Sequence, residues 1–132
     1  MVNFDDTEMF SRINHFSIPA IFTWGNRDTE KREEIRQIAL KDFPRGPSDY
    51  EWYGFRIRVR RKESRRDLDL ENVPKLIIDA FSGWQMDRDR SKYLHVEIYR
   101  DDTMRWVRAI DIAGEFTQDQ DETEVWISGR RS

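Results

Sequence analysis

Cysteine is absent from this chain of 132 residues, and histidine occurs only at His15 and His95. The lack of cysteine excludes disulfide bonds and thiolate metal sites, and two isolated histidines do not form the cluster that zinc enzymes commonly use. Any bound metal would be held by oxygen ligands, which favours Mg²⁺ or Mn²⁺. The sequence also lacks an apolar run of about 20 residues and a charged-then-apolar leader, so we expect a cytoplasmic protein.

An excess of one charge sign is also missing, because acidic and basic residues nearly balance to a formal net charge of −3. Nucleic-acid-binding proteins are more often basic. The charges are segregated along the chain, however: residues 54–66 are rich in arginine with Glu63 as their one acid, whereas residues 115–124 are acidic and contain no base. The net charge therefore does not describe any single face of the protein, and the sequence still allows a basic DNA-binding surface.

Two kinds of hydrophobic periodicity predict one α+β domain with a mixed β-sheet and two main α-helices. Phe55, Ile57 and Val59 alternate with arginines, which is typical of a strand with one buried face. After residue 69, apolar residues recur at three- and four-residue spacing, which predicts an amphipathic helix. The predicted strands cover 18–24, 55–60, 94–98, 104–113 and 124–128; the helices cover 31–43 and 69–81, and a loop is expected at 44–47.

The first 16 residues are polar and acidic, with scattered phenylalanines. We interpret them as an N-terminal arm that is either disordered or packed through its aromatic rings on the domain or on a partner. Residues 17–132 then form the single domain, which is a normal domain length.

The stretch that follows a predicted basic turn at residues 61–66 contains the best candidates for catalytic residues. Asp69 and Glu71 stand two apart where the chain changes from extended to helical, so both carboxylates can point the same way. A divalent cation between them would relieve their repulsion. Lys75 lies about one helical turn further on, near enough to offset charge on a phosphate. A third carboxylate would complete the site, and the Asp101–Asp102 pair at a predicted turn is the natural donor.

A purely structural interpretation of these residues is also open. Asp69 could be only a helix N-cap, and Glu71 and Lys75 only a surface ion pair, since acids at a helix start are favoured by the helix dipole. Asp101 and Asp102 could be only a solvated turn. Spacing alone does not decide between the two interpretations.

The order of these residues resembles the RusA-like Holliday-junction resolvase (crossover junction endodeoxyribonuclease) family. The resemblance rests on an Asp-x-(Asp/Glu)-Asn-x-x-Lys-x-x-x-Asp-Ala motif followed by an Asp-Asp pair that leads into a strand. Arginines before the motif and an early strand–helix unit also look like the family, and the resemblance covers about residues 18–113. The matching motif positions are Asp69, Glu71, Asn72, Lys75, Asp79 and Ala80, and the pair is Asp101–Asp102.

The resemblance implies a homodimeric endonuclease that cuts phosphodiester bonds in branched DNA, such as Holliday junctions, during recombination and repair. It implies that Asp69, Glu71 and Asp102 hold Mg²⁺ or Mn²⁺ and that Lys75 is a catalytic lysine. Asn72, Asp79 and Asp101 would have supporting roles, by capping or by hydrogen bonds behind the ligands. The chemistry would be metal-assisted hydrolysis.

Three departures from the family pattern leave alternatives open. Glu71 stands where an aspartate is more common, and Asp67 offers a second frame for the motif. Residues 84–100 look like an insertion, so Asp87 or Asp89 could replace Asp102 as the third ligand. We prefer Asp102, because the pair before residues 104–110 matches the family's turn into a strand, and we interpret 87–89 as a solvated loop.

Basic and aromatic residues supply the candidates for DNA contact. Arg56, Arg58 and Arg60 fit a solvated or ion-paired sheet face. The four basic residues directly before the acidic motif lie where a scissile phosphate would approach, so we expect them to contact the DNA backbone. Trp24, Trp106 and Trp126 fall in predicted strands, whereas Trp52 and Trp84 lie near loops and could stack on an exposed base. The four expected backbone contacts are Arg61, Lys62, Arg65 and Arg66.

A second function from another class remains open. The acidic stretch and the acidic charge balance also suit a catalytically silent member of the same fold that binds DNA or protein.

Overall fold

The computed structural model describes residues 2–43 and 50–132. These residues form an α+β fold built on a four-stranded mixed sheet in the order β1-β4-β2-β3. Strand β4 runs antiparallel to both of its neighbours, β1 and β2, whereas β2 and β3 are parallel. The strands are β1 (Phe10–Ile18), β2 (Tyr53–Lys62), β3 (Val107–Thr117) and β4 (Glu122–Arg130).

In the part of the chain that the structure describes, three α-helices and three short 3₁₀ turns accompany the sheet. The helices are α1 (Asp28–Ala39), α2 (Pro74–Ala80) and α3 (Gly83–Asp89), and the 3₁₀ turns are Leu40–Asp42, Leu70–Asn72 and Leu94–Val96. Pro74 opens α2, where its missing N–H costs no hydrogen bond. Two helices match predicted ones, with α1 three residues earlier at its start and α2 preceded by a 3₁₀ turn. The third helix, α3, lies at the start of the segment that looks like an insertion, and it includes residues 87–89, which we interpreted as a loop.

The hydrophobic core lies between the sheet and the helices. Phe55, Ile57 and Val59 of β2 are buried, as the alternation predicted, because β2 is an interior strand with a neighbour on each side. They pack with apolar residues of α2 such as Leu76 and Ile77, so one sheet face and one helix face bury each other. This arrangement fixes the first turn of α2 over the sheet, which is where the acidic motif lies.

Strand β3 is an edge strand whose apolar side chains are incompletely covered. Ile110 and Ile112 stand opposite Phe55 and Ile57, on the core side of the sheet. Ile110 is nevertheless 50% exposed and Phe116 60% exposed. The helices therefore cover the centre of the sheet but leave part of β3 open to solvent.

Two of the strands predicted from the sequence are wrong. The first strand is not 18–24 but β1, which includes residues 10–16 of the segment interpreted as an arm. Phe10 and Phe16 are buried, and a bulge between Arg12 and Asn14 interrupts the alternation. Residues 94–98 form no strand: they contain a 3₁₀ turn in which Val96 is buried while Leu94 is 60% exposed. The loop predicted at 44–47 lies outside the described residues.

No helix within the described ranges is long and apolar enough to cross a membrane.

Candidate functional site

Lys75 bridges two carboxylates that are distant in sequence. Its Nζ donates to Asp79 Oδ1 at 3.2 Å, one helical turn away on α2, and to Asp102 Oδ2 at 2.8 Å, 27 residues further along the chain. The Lys75 side chain is 52% exposed, Asp102 35% and Asp79 only 9%. The motif helix and the Asp-Asp pair therefore meet in space, with a partly exposed ammonium group between a buried and an accessible carboxylate.

Burial and mutual repulsion give the two carboxyl groups different pKa values. Loss of solvent raises the pKa of Asp79 to about 6, and the nearby Asp102 adds to this rise while Lys75 opposes it. Partial burial also acts to raise the pKa of Asp102, but the hydrogen bonds from Lys75 and Asp79 outweigh it and hold that pKa below its ordinary value. Two carboxyl groups with divergent pKa values that contact one lysine are typical of a functional site.

The backbone around residues 99–102 is held firmly against the ends of α2 and α3. Gly83 N donates to Tyr99 O at 2.9 Å, and Trp84 N donates to Arg100 O at 2.8 Å. The buried Tyr99 hydroxyl donates to Ile78 O at 2.6 Å. These bonds place Asp102 beside Lys75 although Asp102 lies in no helix or strand.

Asp69 and Glu71 lie at the 3₁₀ turn that precedes α2, and both are exposed. Asp69 is the N-cap of this turn: its Oδ1 accepts from Glu71 N at 3.4 Å. Asn72 uses its backbone to hold the chain before α1 against the 3₁₀ turn: its carbonyl accepts from Trp24 N at 2.9 Å. Asp101 folds its own turn, accepting from Thr103 N and Thr103 Oγ1 at 3.1 and 2.6 Å. The structural roles that the sequence left open for Asp69 and Asp101 are thus present.

The donors fit Mg²⁺ or Mn²⁺ in kind but are not assembled around one point. Within residues 2–43 and 50–132, no three acidic or histidine side chains are grouped so that they could hold a metal ion together. The structure brings Asp102 to Lys75 and Asp79, but it does not gather Asp69, Glu71 and Asp102 into one cluster. The three-carboxylate metal site stays a prediction.

The alternative third ligands, Asp87 and Asp89, are engaged elsewhere. Asp89 ends α3 with a side chain only 2% exposed, and it accepts from Arg32 Nε at 2.7 Å and from Arg36 Nη2 at 3.0 Å. Asp87 pairs with Arg100 at 2.7 Å. The interpretation of 87–89 as a solvated loop is therefore wrong: these residues are helical, and Asp89 anchors α3 to α1. Apart from their helical spacing, no feature of the sequence indicated that arginines on α1 would be buried.

The basic residues of segment 61–66, which spans the end of β2 and the turn after it, are organised by Asp121 from the β3–β4 connection. Asp121 Oδ2 accepts from Arg61 Nη1 at 2.7 Å and from Arg65 Nη1 at 3.1 Å, and its Oδ1 accepts from Lys62 N at 2.8 Å. Arg66 is exposed and contributes its carbonyl to Arg61. Two of the four expected DNA-contacting side chains are thus already ion-paired, which lowers the positive charge that they offer to a phosphate.

The arginines of β2 form an ion-paired sheet face, as the sequence predicted. Arg56 and Arg58 pair with Asp111 of β3 at 3.3 and 3.0 Å. Arg60 pairs with Glu115 at 3.2 Å and Glu124 at 3.1 Å, and also with Glu122. Most of the acidic stretch is therefore used to neutralise β2 and the basic turn within the fold.

Comparison of the chain with protein-family models, with curated proteins and with solved structures finds no significant match. The assignment of a function therefore depends on the residues themselves.

Proposed function

We propose that this chain is a metal-dependent endonuclease, with Mg²⁺ or Mn²⁺ as cofactor, that hydrolyses phosphodiester bonds in branched DNA such as four-way junctions. On this proposal it acts in the cytoplasm in DNA recombination and repair. One observation carries the proposal: Lys75, Asp79 and Asp102, which the motif resemblance links, lie in direct contact.

The charge state of Lys75 supports a role in binding phosphate. Partial burial acts to lower the pKa of Lys75, but the hydrogen bonds to Asp102 and Asp79 outweigh it and raise that pKa, so the group is cationic at neutral pH. An ammonium group has three N–H donors, and the two carboxylates occupy two of them. The remaining donor can bind a phosphate oxygen and offset the charge that develops on it during hydrolysis.

Asp79 has a positioning role in this proposal. It is nearly enclosed by protein, and its carboxylate holds the Lys75 ammonium from the helix side while Asp102 holds it from the loop side. Because these two contacts hold the ammonium group in place beforehand, DNA binding needs no additional conformational cost to position it.

The metal ion would supply Lewis acidity and a more acidic bound water. Asp102 and the exposed pair Asp69 and Glu71 are the candidate ligands. Because the described residues do not gather these three carboxylates, metal binding itself would have to draw them together.

The decisive experiment compares cleavage of a four-way junction, a flap and a plain duplex of matched sequence, each with Mg²⁺, Mn²⁺ or EDTA. We expect metal-dependent cutting of the junction in preference to the duplex. Lys75→Met and Asp102→Asn should each lower the rate by about 100-fold or more. Asp42→Asn is the matched control, because Asp42 is exposed at the 3₁₀ turn after α1, and it should cut as the parent does.

Cutting of the flap in preference to the junction would keep the nuclease but change its substrate. Binding of DNA with no metal-dependent cleavage would instead favour the second candidate, a catalytically silent member of the same fold. That candidate is supported by the lack of a three-carboxylate group within the described ranges. If neither cleavage nor DNA binding is detected, both the nuclease proposal and the DNA-binding proposal are wrong. Protein binding is then the hypothesis that is left.

We also propose that the chain forms a homodimer. Strand β3 supports this, because it is an edge strand with Ile110 and Phe116 exposed, and such edges favour pairing with another chain. Light scattering should give twice the chain mass, and Phe116→Glu should reduce it. A parent that is monomeric at all concentrations would contradict the proposal.

A further inference from the structure

Two of the five tryptophans are exposed, and both are tied to the segments that carry the candidate site. Trp24 is 55% exposed and Trp84 47% exposed, whereas Trp52, Trp106 and Trp126 are half-buried. The sequence had suggested that Trp24 belongs to a strand, which is wrong: it lies in the connection between β1 and α1. Tryptophan combines a large apolar ring with a polar N–H group and is enriched at interfaces, so an exposed indole is a candidate for ligand contact.

Backbone hydrogen bonds fix where each of these tryptophans lies. Trp24 N donates to the carbonyl of Asn72, the residue after Glu71, at 2.9 Å. Trp84 N donates to the carbonyl of Arg100, two residues before Asp102, at 2.8 Å. The backbone of Trp24 is therefore anchored to the motif segment and that of Trp84 to the Asp-Asp segment. These two segments meet at the contact between Lys75 and Asp102, so the backbone of each tryptophan adjoins a segment that contributes to that contact.

The Trp84 ring also has a cationic neighbour. The Arg88 guanidinium lies 3.9 Å from the ring centroid, one turn further along α3. This cation–π contact restrains the indole before any ligand binds. Together, tryptophan offers a flat ring for a base and arginine a positive charge for its phosphate. Proteins that bind single-stranded nucleic acids use this combination.

We infer that Trp24 and Trp84 stack on unpaired nucleobases of DNA, next to the two segments that meet at the Lys75–Asp102 contact. The inference rests on the proposed function for its ligand, because it takes DNA as what the site binds. Stacking on a base requires that the base is not paired within a duplex, so this surface would select single-stranded segments and branch points over continuous duplex. It would tolerate any sequence, since every base has a flat face.

The test measures binding of a fluorescently labelled oligothymidylate, with EDTA present so that cleavage does not interfere. A strand of the same length and charge that lacks its bases serves as the comparison ligand. We expect the parent to bind oligothymidylate more tightly than the baseless strand. Trp24→Ala and Trp84→Ala should each weaken oligothymidylate binding by about 5- to 100-fold, with no change for the baseless strand.

Three controls keep the result interpretable. Trp84→Phe retains an aromatic face and should recover most of the binding. Trp126→Phe should bind as the parent does, because Trp126 stacks on His15 at 4.7 Å and stands opposite Arg56, on the sheet face away from the helices. Circular dichroism and thermal melting of each variant show whether it is folded.

Equal binding of the two strands by the parent would overturn the inference, and so would folded Trp24→Ala and Trp84→Ala variants that bind oligothymidylate normally. The failure of the nuclease proposal has a different signature, which is an absence of metal-dependent cleavage by the parent. A chain that cuts junctions but shows no loss in either tryptophan variant contradicts the stacking role alone. Oligothymidylate that does not bind at all would instead favour a protein partner for these two indoles.

Discussion

Asp79→Asn should stabilise the protein at neutral pH, although it removes a hydrogen-bonded carboxylate. Burial beside Asp102 raises the pKa of Asp79 from 3.8 to about 6 in the folded protein. The difference of roughly two pKa units corresponds to about 3 kcal/mol against the ionised form. Asparagine resembles the protonated carboxyl group in shape but cannot ionise, so it avoids this cost.

The sign of the pH dependence follows from the direction of the shift. Because the folded state binds the Asp79 proton more tightly than the unfolded state, the contribution of this group to stability is fully present below its unfolded pKa of 3.8. It is lost as the pH rises through about 6. The advantage of Asp79→Asn should therefore be near zero at about pH 3.5 and approach about 3 kcal/mol above about pH 7.

The assay is urea unfolding of parent and variant across this pH range with EDTA present, so that contaminating metal does not stabilise the ionised pair. Asp102→Asn is the matched control with the opposite sign, because Lys75 and Asp79 hold the pKa of Asp102 below its ordinary value against the effect of burial. That variant should lose stability at neutral pH and converge with the parent in acid. If Asp79→Asn were no more stable than the parent at neutral pH, the reasoning about Asp79 would be refuted.

Three further predictions concern residues that hold the fold around the site. Asp89→Asn should lower the free energy of unfolding by about 3–5 kcal/mol, because it leaves two buried arginines without their shared anion; an unchanged urea midpoint would contradict this. Asp121→Asn should make the chain after Arg61 and Arg65 more susceptible to trypsin, since both guanidinium groups lose their carboxylate. Gly54→Ala should weaken the packing of the N-terminal segment, because the added methyl group would overlap the Phe4 ring, and faster hydrogen exchange there would show it.

The part of the fold that the sequence could predict is the part governed by local pattern. The alternation at Phe55, Ile57 and Val59 identified β2, since an interior strand over one helical layer must bury every second residue. The same rule failed at Leu94, Val96 and Ile98, where the alternation is present but the segment follows α3 in a 3₁₀ turn. Alternation shows that a strand is possible, whereas pairing with another strand decides whether it forms.

In the candidate site, too, contacts that follow from local spacing or from the motif could be predicted, whereas contacts between distant elements could not. Lys75 and Asp79 lie one turn apart, and the motif placed Asp102 nearby, so their contact could be anticipated. The anchoring of Asp89 by Arg32 and Arg36 could not, because it joins residues 57 and 53 positions apart and depends on how α3 packs against α1. The exposure of Trp24 could not be anticipated either, since β1 ends at Ile18, earlier than the apolar run suggested.

The strand order has a consequence for the synthesis of the chain. Strand β4, the last of the four in sequence, is inserted between the first two, so β1 and β2 meet only through it. A nascent polypeptide that has not yet released residues 122–130 presents two open strand edges, which other chains can bind. Premature termination before residue 122 would thus leave the sheet in two separate pieces, and we expect such fragments to be retained by chaperones or to aggregate.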